Sequence, residues 1–212
     1  MTDREYDVAI VGGGLAGMTS GLYASRAGLK TVLLERLMTG GQIINAETVE
    51  NFPGFPDGIS GADLTGLAQD QASRYGLDLE LDEVTALRQN ASGWTVETYD
   101  GELSARAVIV AGGSTLRHLG VPGEEEKHGA GVSYCATCDG AFFTDQVVGL
   151  AGGGDSALDE AITLTEFASK VIVFHRGERF SGQKVLQDRV LSNPKIEVRW
   201  NTVVDEVLGD SA

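Results

Sequence analysis

Two apolar runs of this chain each end in three consecutive glycines, and a helix-like segment follows in both places. The first run, Tyr6 to Val11, leads into Gly12-Gly13-Gly14-Leu15-Ala16-Gly17 and then into a stretch rich in Ala, Leu and Ser that extends to about Ala27. Leu29 to Glu35 is a further apolar run of β-type composition. This order of strand, helix and strand predicts a βαβ unit, and such units build the parallel sheets of α/β domains.

The first glycine cluster matches the pattern G-x-G-x-x-G of dinucleotide-binding turns. In such a turn Gly12 permits the tight bend, Gly14 lets a pyrophosphate approach the backbone, and Gly17 lets helix and strand pack closely. The phosphate then lies at the helix N-terminus. Glu35 ends the next strand, where a carboxylate accepts hydrogen bonds from ribose hydroxyls. A glycine-rich turn without a ligand is the alternative.

The second cluster, Gly152-Gly153-Gly154-Asp155-Ser156-Ala157, follows a predicted strand from Gln146 to Ala151. A helix and a strand from Lys170 to His175 come after it. This strand ends in His175-Arg176 instead of an acid, and a basic residue there suits the 2′-phosphate of NADP better than the ribose of NAD. The alternative is a solvated charge cluster at the end of a strand.

Cys135 and Cys138 are the only cysteines of the chain, and Asp139 follows them directly. Two thiols at this spacing can form a small, reducible disulfide, and Asp139 can carry the proton that thiol exchange requires. A local cap or turn is the alternative role of Asp139. Zinc would need four ligands, and three histidines without finger-like spacing are the remaining candidates: His118, His128 and His175. We therefore predict no metal site.

The remaining segments predict further elements. Residues 39–61 are rich in Gly, Pro and Asn and indicate a long loop, followed by an amphipathic helix from about Asp63 to Tyr75 with Leu64, Leu67 and Ala68 on one face. Alternating segments then predict a small antiparallel sheet with a hairpin turn at Asp100-Gly101. Its strands are Leu77–Leu81, Val84–Arg88, Trp94–Tyr99 and Glu102–Ala105. A strand of the buried type is predicted at Ala107–Val110, and a further strand at Val203–Leu208.

The acidic balance of the chain excludes one class of partner. Its formal net charge is −15, whereas a nucleic-acid surface needs a basic stripe. The start of the sequence lacks the apolar segment of a signal peptide, and no apolar run approaches the roughly 18 residues of a membrane span. We therefore expect a soluble, cytoplasmic protein that binds neither nucleic acid nor membranes.

Taken together, these motifs resemble low-molecular-weight thioredoxin reductases over essentially all 212 residues. The matching stretches are Gly12–Gly17, Gly40-Gly41-Gln42, Glu50-Asn51-Phe52-Pro53-Gly54, Cys135–Asp139, Gly152–Ala157 and His175-Arg176. The resemblance implies an α/β fold of two Rossmann-like three-layer domains with parallel sheets. In it the nicotinamide and dithiol domain, 116–212, interrupts an FAD domain whose N-terminal part is 1–115.

The resemblance also implies an activity. Electrons pass from NADPH through FAD to the Cys135–Cys138 dithiol and then to a thioredoxin-like protein. Cys138 exchanges electrons with the flavin, Cys135 attacks the partner disulfide, Asp139 is the acid, and the enzyme is a homodimer. The expected FAD-binding residues are Gly12, Gly14, Leu15, Ala16, Gly17, Glu35, Gly41, Gln42, Asn51, Val84, Ala111 and Gly112. The expected nicotinamide-binding residues are Gly152, Gly154, Asp155, Ser156, Ala157, His175 and Arg176.

The chain departs from the family pattern at three places. Gly177 and Ser181 stand where the family usually has arginines, and Glu178 adds negative charge, so NADH is a possible donor beside NADPH. The Ala-Thr-Gly segment expected at the FAD edge is Ala111-Gly112-Gly113. The family also continues past the end of this sequence, which predicts a C-terminally truncated member. A flavin disulfide reductase with another donor, such as ferredoxin, and a non-catalytic cofactor-binding remnant are the alternatives.

Overall fold

The computed structural model describes residues 4–209, and these divide into two compact α/β units between Thr115 and Leu116. The outermost residues of the two predicted domains, 1–3 and 210–212, lie outside the described residues. None of the helices in the described part is long and apolar enough to span a membrane.

The predicted βαβ unit begins the first unit. Strand β1 (Glu5–Val11), helix α1 (Leu15–Arg26) and strand β2 (Thr31–Glu35) follow in order, and β1 pairs parallel with β2. Successive side chains of a strand point to opposite faces of its sheet. Ile10 therefore joins a core cluster with Met18 of α1, whereas Ala9 joins a second cluster on the other face. Burial on both faces is expected for parallel strands at the centre of an α/β sheet.

The strands after β2 form one six-stranded sheet, of order β3-β2-β1-β6-β5-β4, instead of a separate antiparallel sheet. Strand β3 (Asp78–Leu81) pairs parallel with β2, so its assignment to the antiparallel sheet was wrong. Strands β4 (Val84–Asn90), β5 (Gly93–Thr98) and β6 (Gly101–Val110) form an antiparallel meander, and its predicted turn at Asp100-Gly101 is confirmed. The two strands predicted at Glu102–Ala105 and Ala107–Val110 are parts of β6, which also pairs parallel with β1.

Helix α2 (Gly61–Ser73) connects β2 to β3, and a parallel pair needs such a crossover. It begins two residues before the predicted start because the Ser60 hydroxyl accepts the backbone N–H of Asp63 and caps the helix. Leu64 is buried, but Leu67 is 54% exposed, so the face predicted from Leu64, Leu67 and Ala68 is only partly buried. The buried stripe also contains Ala72. At 100° per residue, Leu67 lies beside this stripe and not within it.

The second unit holds a three-stranded parallel sheet of order β7-β8-β9. Strands β7 (Val147–Ala151) and β8 (Lys170–Phe174) confirm the predicted second βαβ unit, with a helix between them. The short helix α3 (Ala136–Asp139) precedes β7, and α4 (Asp155–Phe167) is the crossover. Helix α5 (Lys184–Ser192) and strand β9 (Ile196–Arg199) then complete the sheet. The strand expected at Val203–Leu208 is wrong, because this segment contains no strand.

Candidate functional site

The first glycine turn lies between β1 and α1, where backbone atoms pack too closely for side chains. Gly12 has φ +107°, and a Cβ on it would lie 2.3 Å from the carbonyl oxygen of Ala111. A Cβ on Gly17 would lie 1.9 Å from the carbonyl oxygen of Gly12. These positions fit the roles expected of the first and last glycines of G-x-G-x-x-G. The turn also brings Ala111, another predicted FAD residue, beside Gly12.

The N-terminus of α1 is open towards a ligand. Gly14 is its N-cap residue, and no side chain caps the helix. The first N–H groups of a helix have no partner within it, and here they belong to the predicted residues Leu15, Ala16 and Gly17. A Cβ on Gly14 would lie 3.9 Å from Cα of Gly41, which has φ +64° and stands on the neighbouring loop. Unpaired N–H groups and the helix dipole in a cradle without side chains fit a pyrophosphate.

Glu35 lies at the end of β2 beside the same turn. Its Oε2 accepts the backbone N–H of Gly13 at 2.7 Å, and its Oε1 accepts the N–H of Leu37 at 3.2 Å. These two bonds fix the direction of the carboxylate, and each oxygen keeps a lone pair for a further donor. The residue is therefore held where a ribose hydroxyl of a dinucleotide on the turn would meet it.

The other predicted FAD residues are distributed over the first unit. Gln42 begins a short 3-10 turn, and its Nε2 donates to the carbonyl oxygen of Ser114, which follows Gly112 and Gly113. Asn51 lines an open surface depression of about 280 Å³ formed by residues 50–56. Val84 instead packs against the core cluster that contains Leu34. Its side chain is thus partly buried against that cluster.

The second glycine turn repeats the arrangement between β7 and α4. Gly154 is the N-cap residue of α4, and no side chain caps this helix. A Cβ on Gly152 would lie 2.4 Å from Cβ of Ala157, so the alanine of G-x-G-x-x-A packs directly on the first glycine. Ser156 lies in the first helical turn, where the N–H groups have no partner within the helix. The turn therefore fits a second dinucleotide.

Asp155 and His175 tie this turn to the loop after β8. Asp155 accepts two bonds from Gln183, at 2.6 Å from its backbone N–H and at 3.1 Å from its Nε2. His175 Nδ1 lies 2.9 Å from the carbonyl oxygen of Gly152, and Nε2 lies 2.9 Å from that of Arg179. Both predicted nicotinamide residues thus have partners within the protein, and they fix the shape of the site.

The basic side chains of that loop are exposed. One is Arg176, a predicted nicotinamide residue, and the other is Arg179, which the sequence interpretation overlooked. The signal was available, because Arg179 comes only four residues after His175. Glu178 is exposed between them. The loop therefore carries two guanidinium groups with a carboxylate between them.

The two cysteines form a disulfide in the second unit, with Sγ atoms 2.08 Å apart. Cys135 is the N-cap residue of α3, and its Sγ accepts the backbone N–H of Cys138 at 3.2 Å. Cys138 is exposed and Cys135 is half-buried. The disulfide that the spacing predicted is therefore present, at the start of a helical turn.

Asp139 is held close to the pair through a serine. Its Oδ2 accepts the hydroxyl of Ser133 at 2.6 Å, and its backbone N–H donates to the carbonyl oxygen of Cys135 at 3.1 Å. The same hydroxyl accepts the N–H of Cys135 at 3.1 Å. Sequence interpretation missed Ser133, although serine two residues before a turn often bonds to the backbone in this way.

The segment before Cys135 is anchored by a buried carboxylate. Glu124, only 2% exposed, accepts the N–H groups of Leu119 and Gly120 and the hydroxyl of Tyr134, at 2.9, 2.7 and 3.0 Å. The Leu119 bond contributes most to holding the pKa of Glu124 below its usual value. Burial and the charge of Glu124 raise the pKa of Tyr134, and His118 Nδ1 lies 3.0 Å from its hydroxyl.

Helix α4 places another carboxyl beneath the disulfide turn. Burial raises the pKa of Glu160, and the charge of Asp159 adds to this effect, while the backbone N–H of Ala136 opposes it. Ala136 follows Cys135 and packs in the core cluster with Leu158. Within residues 4–209, no three His, Cys, Asp or Glu side chains lie together as ligands of a metal ion.

Comparisons with known proteins agree with this geometry. A sequence profile described as pyridine nucleotide-disulphide oxidoreductase matches residues 6–212. A thioredoxin reductase of Listeria innocua is 43% identical over 208 residues, which are 98% of this chain and 65% of that protein. The chain thus spans about 65% of the length of such curated relatives.

Solved structures give the same result. Thioredoxin reductase of Lactococcus lactis matches with a TM-score of 0.93 and 40% identity over 97% of this chain and 67% of that one. Thioredoxin reductase of T. acidophilum matches with a TM-score of 0.90 and 35% identity over 98% and 67%. The comparisons confirm the resemblance found in the sequence motifs.

Proposed function

Because this chain belongs to the pyridine nucleotide-disulphide oxidoreductase family, we propose that it works as a thioredoxin reductase. In this proposal it transfers electrons from NADPH through FAD to the Cys135–Cys138 disulfide, and from there to a thioredoxin-like protein. The observation that carries the proposal is the disulfide itself, which lies at the start of α3 with Asp139 held beside it. A disulfide between the only two cysteines of the chain, next to a carboxylate, suits thiol exchange.

We assign one cofactor to each glycine turn. FAD would be held by the turn of Gly12 to Gly17, the carboxylate of Glu35, and the neighbouring Gly41, Gln42, Asn51, Ala111 and Gly112. The contribution of Val84 would come from its backbone, since its side chain packs against the core cluster. When bound, FAD supplies two-electron transfer between a nicotinamide and a disulfide. At both turns no side chain caps the first N–H groups of the helix, which supports the assignment.

The nicotinamide nucleotide would lie on the turn of Gly152 to Ala157. Its phosphates would meet the N-terminus of α4, and Arg176 would face the 2′-phosphate of NADPH. Gln183 donates hydrogen bonds to both carboxylate oxygens of Asp155. These two bonds reduce the repulsion between that carboxylate and a phosphate. His175 would act by holding the turn and the loop together.

The thiol-exchange step needs only groups of this chain and the partner. The reduced pair presents the thiolate of Cys135, which attacks one sulfur of the partner disulfide and forms a mixed disulfide. The other partner sulfur leaves as a thiolate and takes from Asp139 the proton that the Cys135 thiol gave to this carboxylate. The Asp139 carboxylate then takes the proton of the Cys138 thiol, and the Cys138 thiolate attacks Cys135, which restores the Cys135–Cys138 disulfide. The second partner sulfur leaves as a thiolate and takes that proton. One disulfide is reduced and one is formed, so two electrons pass to the partner.

Trapping of the mixed disulfide tests the order of attack. In Cys138→Ser the Cys135 thiol should remain joined to a bacterial thioredoxin, and mass spectrometry should show the adduct. Cys135→Ser should give no adduct through Cys138, although Cys138 is the more exposed residue. Both variants should lose turnover of thioredoxin and keep reduction of FAD by the electron donor. Turnover at the wild-type rate in either variant would show that the pair is not the redox centre.

A donor other than NADPH is the second candidate, and the loop after β8 favours it. Gly177 and Ser181 leave Arg176 and Arg179 as the basic side chains there, and Glu178 opposes them. NADH or an electron-transfer protein such as ferredoxin would avoid the need for a 2′-phosphate site. Stopped-flow reduction of FAD by each donor at equal concentration distinguishes them.

We further propose a homodimer and a cytoplasmic location. The resemblance to thioredoxin reductases supports the dimer. A Cys-x-x-Cys pair that must be reduced in each cycle suits the reducing cytoplasm, which supports the location. Sedimentation velocity of the purified protein tests the dimer, since a concentration-independent monomer would contradict it.

A further inference from the structure

The hydroxyl of Ser133 lies between the backbone of the redox cysteine and the carboxylate of Asp139. It accepts the N–H of Cys135 at 3.1 Å and lies 2.6 Å from Oδ2 of Asp139. It is also 3.3 Å from the carbonyl oxygen of Cys135. One side chain therefore contacts both the first cysteine and the acid.

The single proton of this hydroxyl belongs to the bond with Asp139. A serine hydroxyl has one proton to donate, and the carboxylate is closer than the carbonyl oxygen of Cys135. That carbonyl oxygen already accepts the backbone N–H of Asp139 at 3.1 Å. An O–H···O⁻ bond of 2.6 Å has the length typical of a charge-assisted hydrogen bond, which is stronger than a neutral one.

We propose that Ser133 is a positioning residue, which holds Oδ2 of Asp139 so that the other carboxyl oxygen exchanges the proton of the departing thiol. The inference depends on the proton-transfer role of Asp139 in the proposed function. Cys135 and Asp139 are in the same small turn, so a carboxylate without this bond is free to rotate into solvent. The Ser133 hydroxyl restricts this rotation and connects the Asp139 carboxylate to the backbone N–H of Cys135.

The test measures reduction of the oxidised pair by dithiothreitol in the full chain, followed by alkylation of the released thiols and mass spectrometry. This readout requires neither nicotinamide nor flavin turnover. Positioned acid catalysis contributes about 100-fold or more, so Asp139→Asn should slow the exchange by roughly that factor. Ser133→Ala should slow it about tenfold, and Ser133→Thr, which keeps the hydroxyl, should restore most of the rate.

The double variant separates positioning from a structural role. If Ser133 acts through Asp139, adding Ser133→Ala to Asp139→Asn should change the rate by less than twofold, because coupled residues are not additive. A further tenfold loss in the double variant, or no rescue by threonine, would overturn the inference. An unchanged rate in Ser133→Ala with a slow Asp139→Asn would also overturn it. An unchanged rate in Asp139→Asn would instead refute the acid role in the proposed function. Thermal unfolding of each variant checks that the turn still folds.

Discussion

Substitution of Gly17 by alanine tests whether FAD binding requires the close approach of α1 to the first glycine turn. A Cβ at this position would lie 1.9 Å from the carbonyl oxygen of Gly12, whereas ordinary van der Waals contact begins at 3.4 Å. The position of the Cβ is fixed by the backbone of α1, and the oxygen of Gly12 belongs to the backbone of the turn. Because no side chain can rotate away, α1 or the turn must move by more than an ångström. Forcing an extra methyl group into such a contact costs about 1–3 kcal/mol. For a chain of this size that lowers Tm by about 2–4 °C for each kcal/mol.

Gly66 is the matched control for this substitution. It lies within α2, is exposed, and has no atom within 4 Å of a Cβ built on it. Gly66→Ala therefore keeps only the helix-propensity gain of about 0.5–1 kcal/mol and should raise Tm. Differential scanning calorimetry and the FAD-to-protein ratio after purification measure both variants. If Gly17→Ala is as stable as Gly66→Ala and retains FAD equally, the close approach of α1 to the turn does not exist.

Two further predictions concern charged groups. Arg176→Gln should raise KM for NADPH about 10- to 100-fold and leave KM for NADH unchanged, because one charge-assisted bond to a phosphate is worth about 1.5–3 kcal/mol. Steady-state kinetics with both donors measures these KM values, and Arg179→Gln is the matched variant. An equal increase in KM for NADH would show that Arg176 does not contact the 2′-phosphate. The lowered pKa of Glu124 predicts that its stabilisation is complete above the ordinary carboxyl pKa of 4.5 and is lost as the pH falls through the lower folded-state pKa. Urea midpoints between pH 7 and pH 3 should therefore fall less in Glu124→Gln than in the wild type, and parallel curves would contradict the role of this carboxylate.

Local patterns in the sequence predicted the elements that carry the cofactor turns. The order β1, α1, β2 and the glycines between them depend on residues that are close in sequence, and the structure has them. The partner of β3 could not be predicted in this way. Alternation of apolar and polar residues is the same for a strand in either orientation, and the crossover helix α2 is what makes β3 parallel to β2.

The contacts that shape the site were less predictable, because they join distant segments. Nothing near His175 in the sequence indicates that its ring bonds to the carbonyl oxygen of Gly152, 23 residues away. Helix α5 and strand β9 were missed because both are short and carry many charged residues. The segment Val203–Leu208 has the composition of a strand, but composition does not provide a neighbouring strand to pair with.

The central claim is that the Cys135–Cys138 disulfide takes electrons from the flavin, and an anaerobic reductive titration tests it most directly. The FAD-loaded protein is titrated with dithionite while the flavin absorbance is followed to complete bleaching. A disulfide takes two electrons, so the wild type should require two electrons per FAD more than Cys138→Ser, which has no disulfide to reduce. Equal electron requirements in the wild type and in Cys138→Ser would contradict the account.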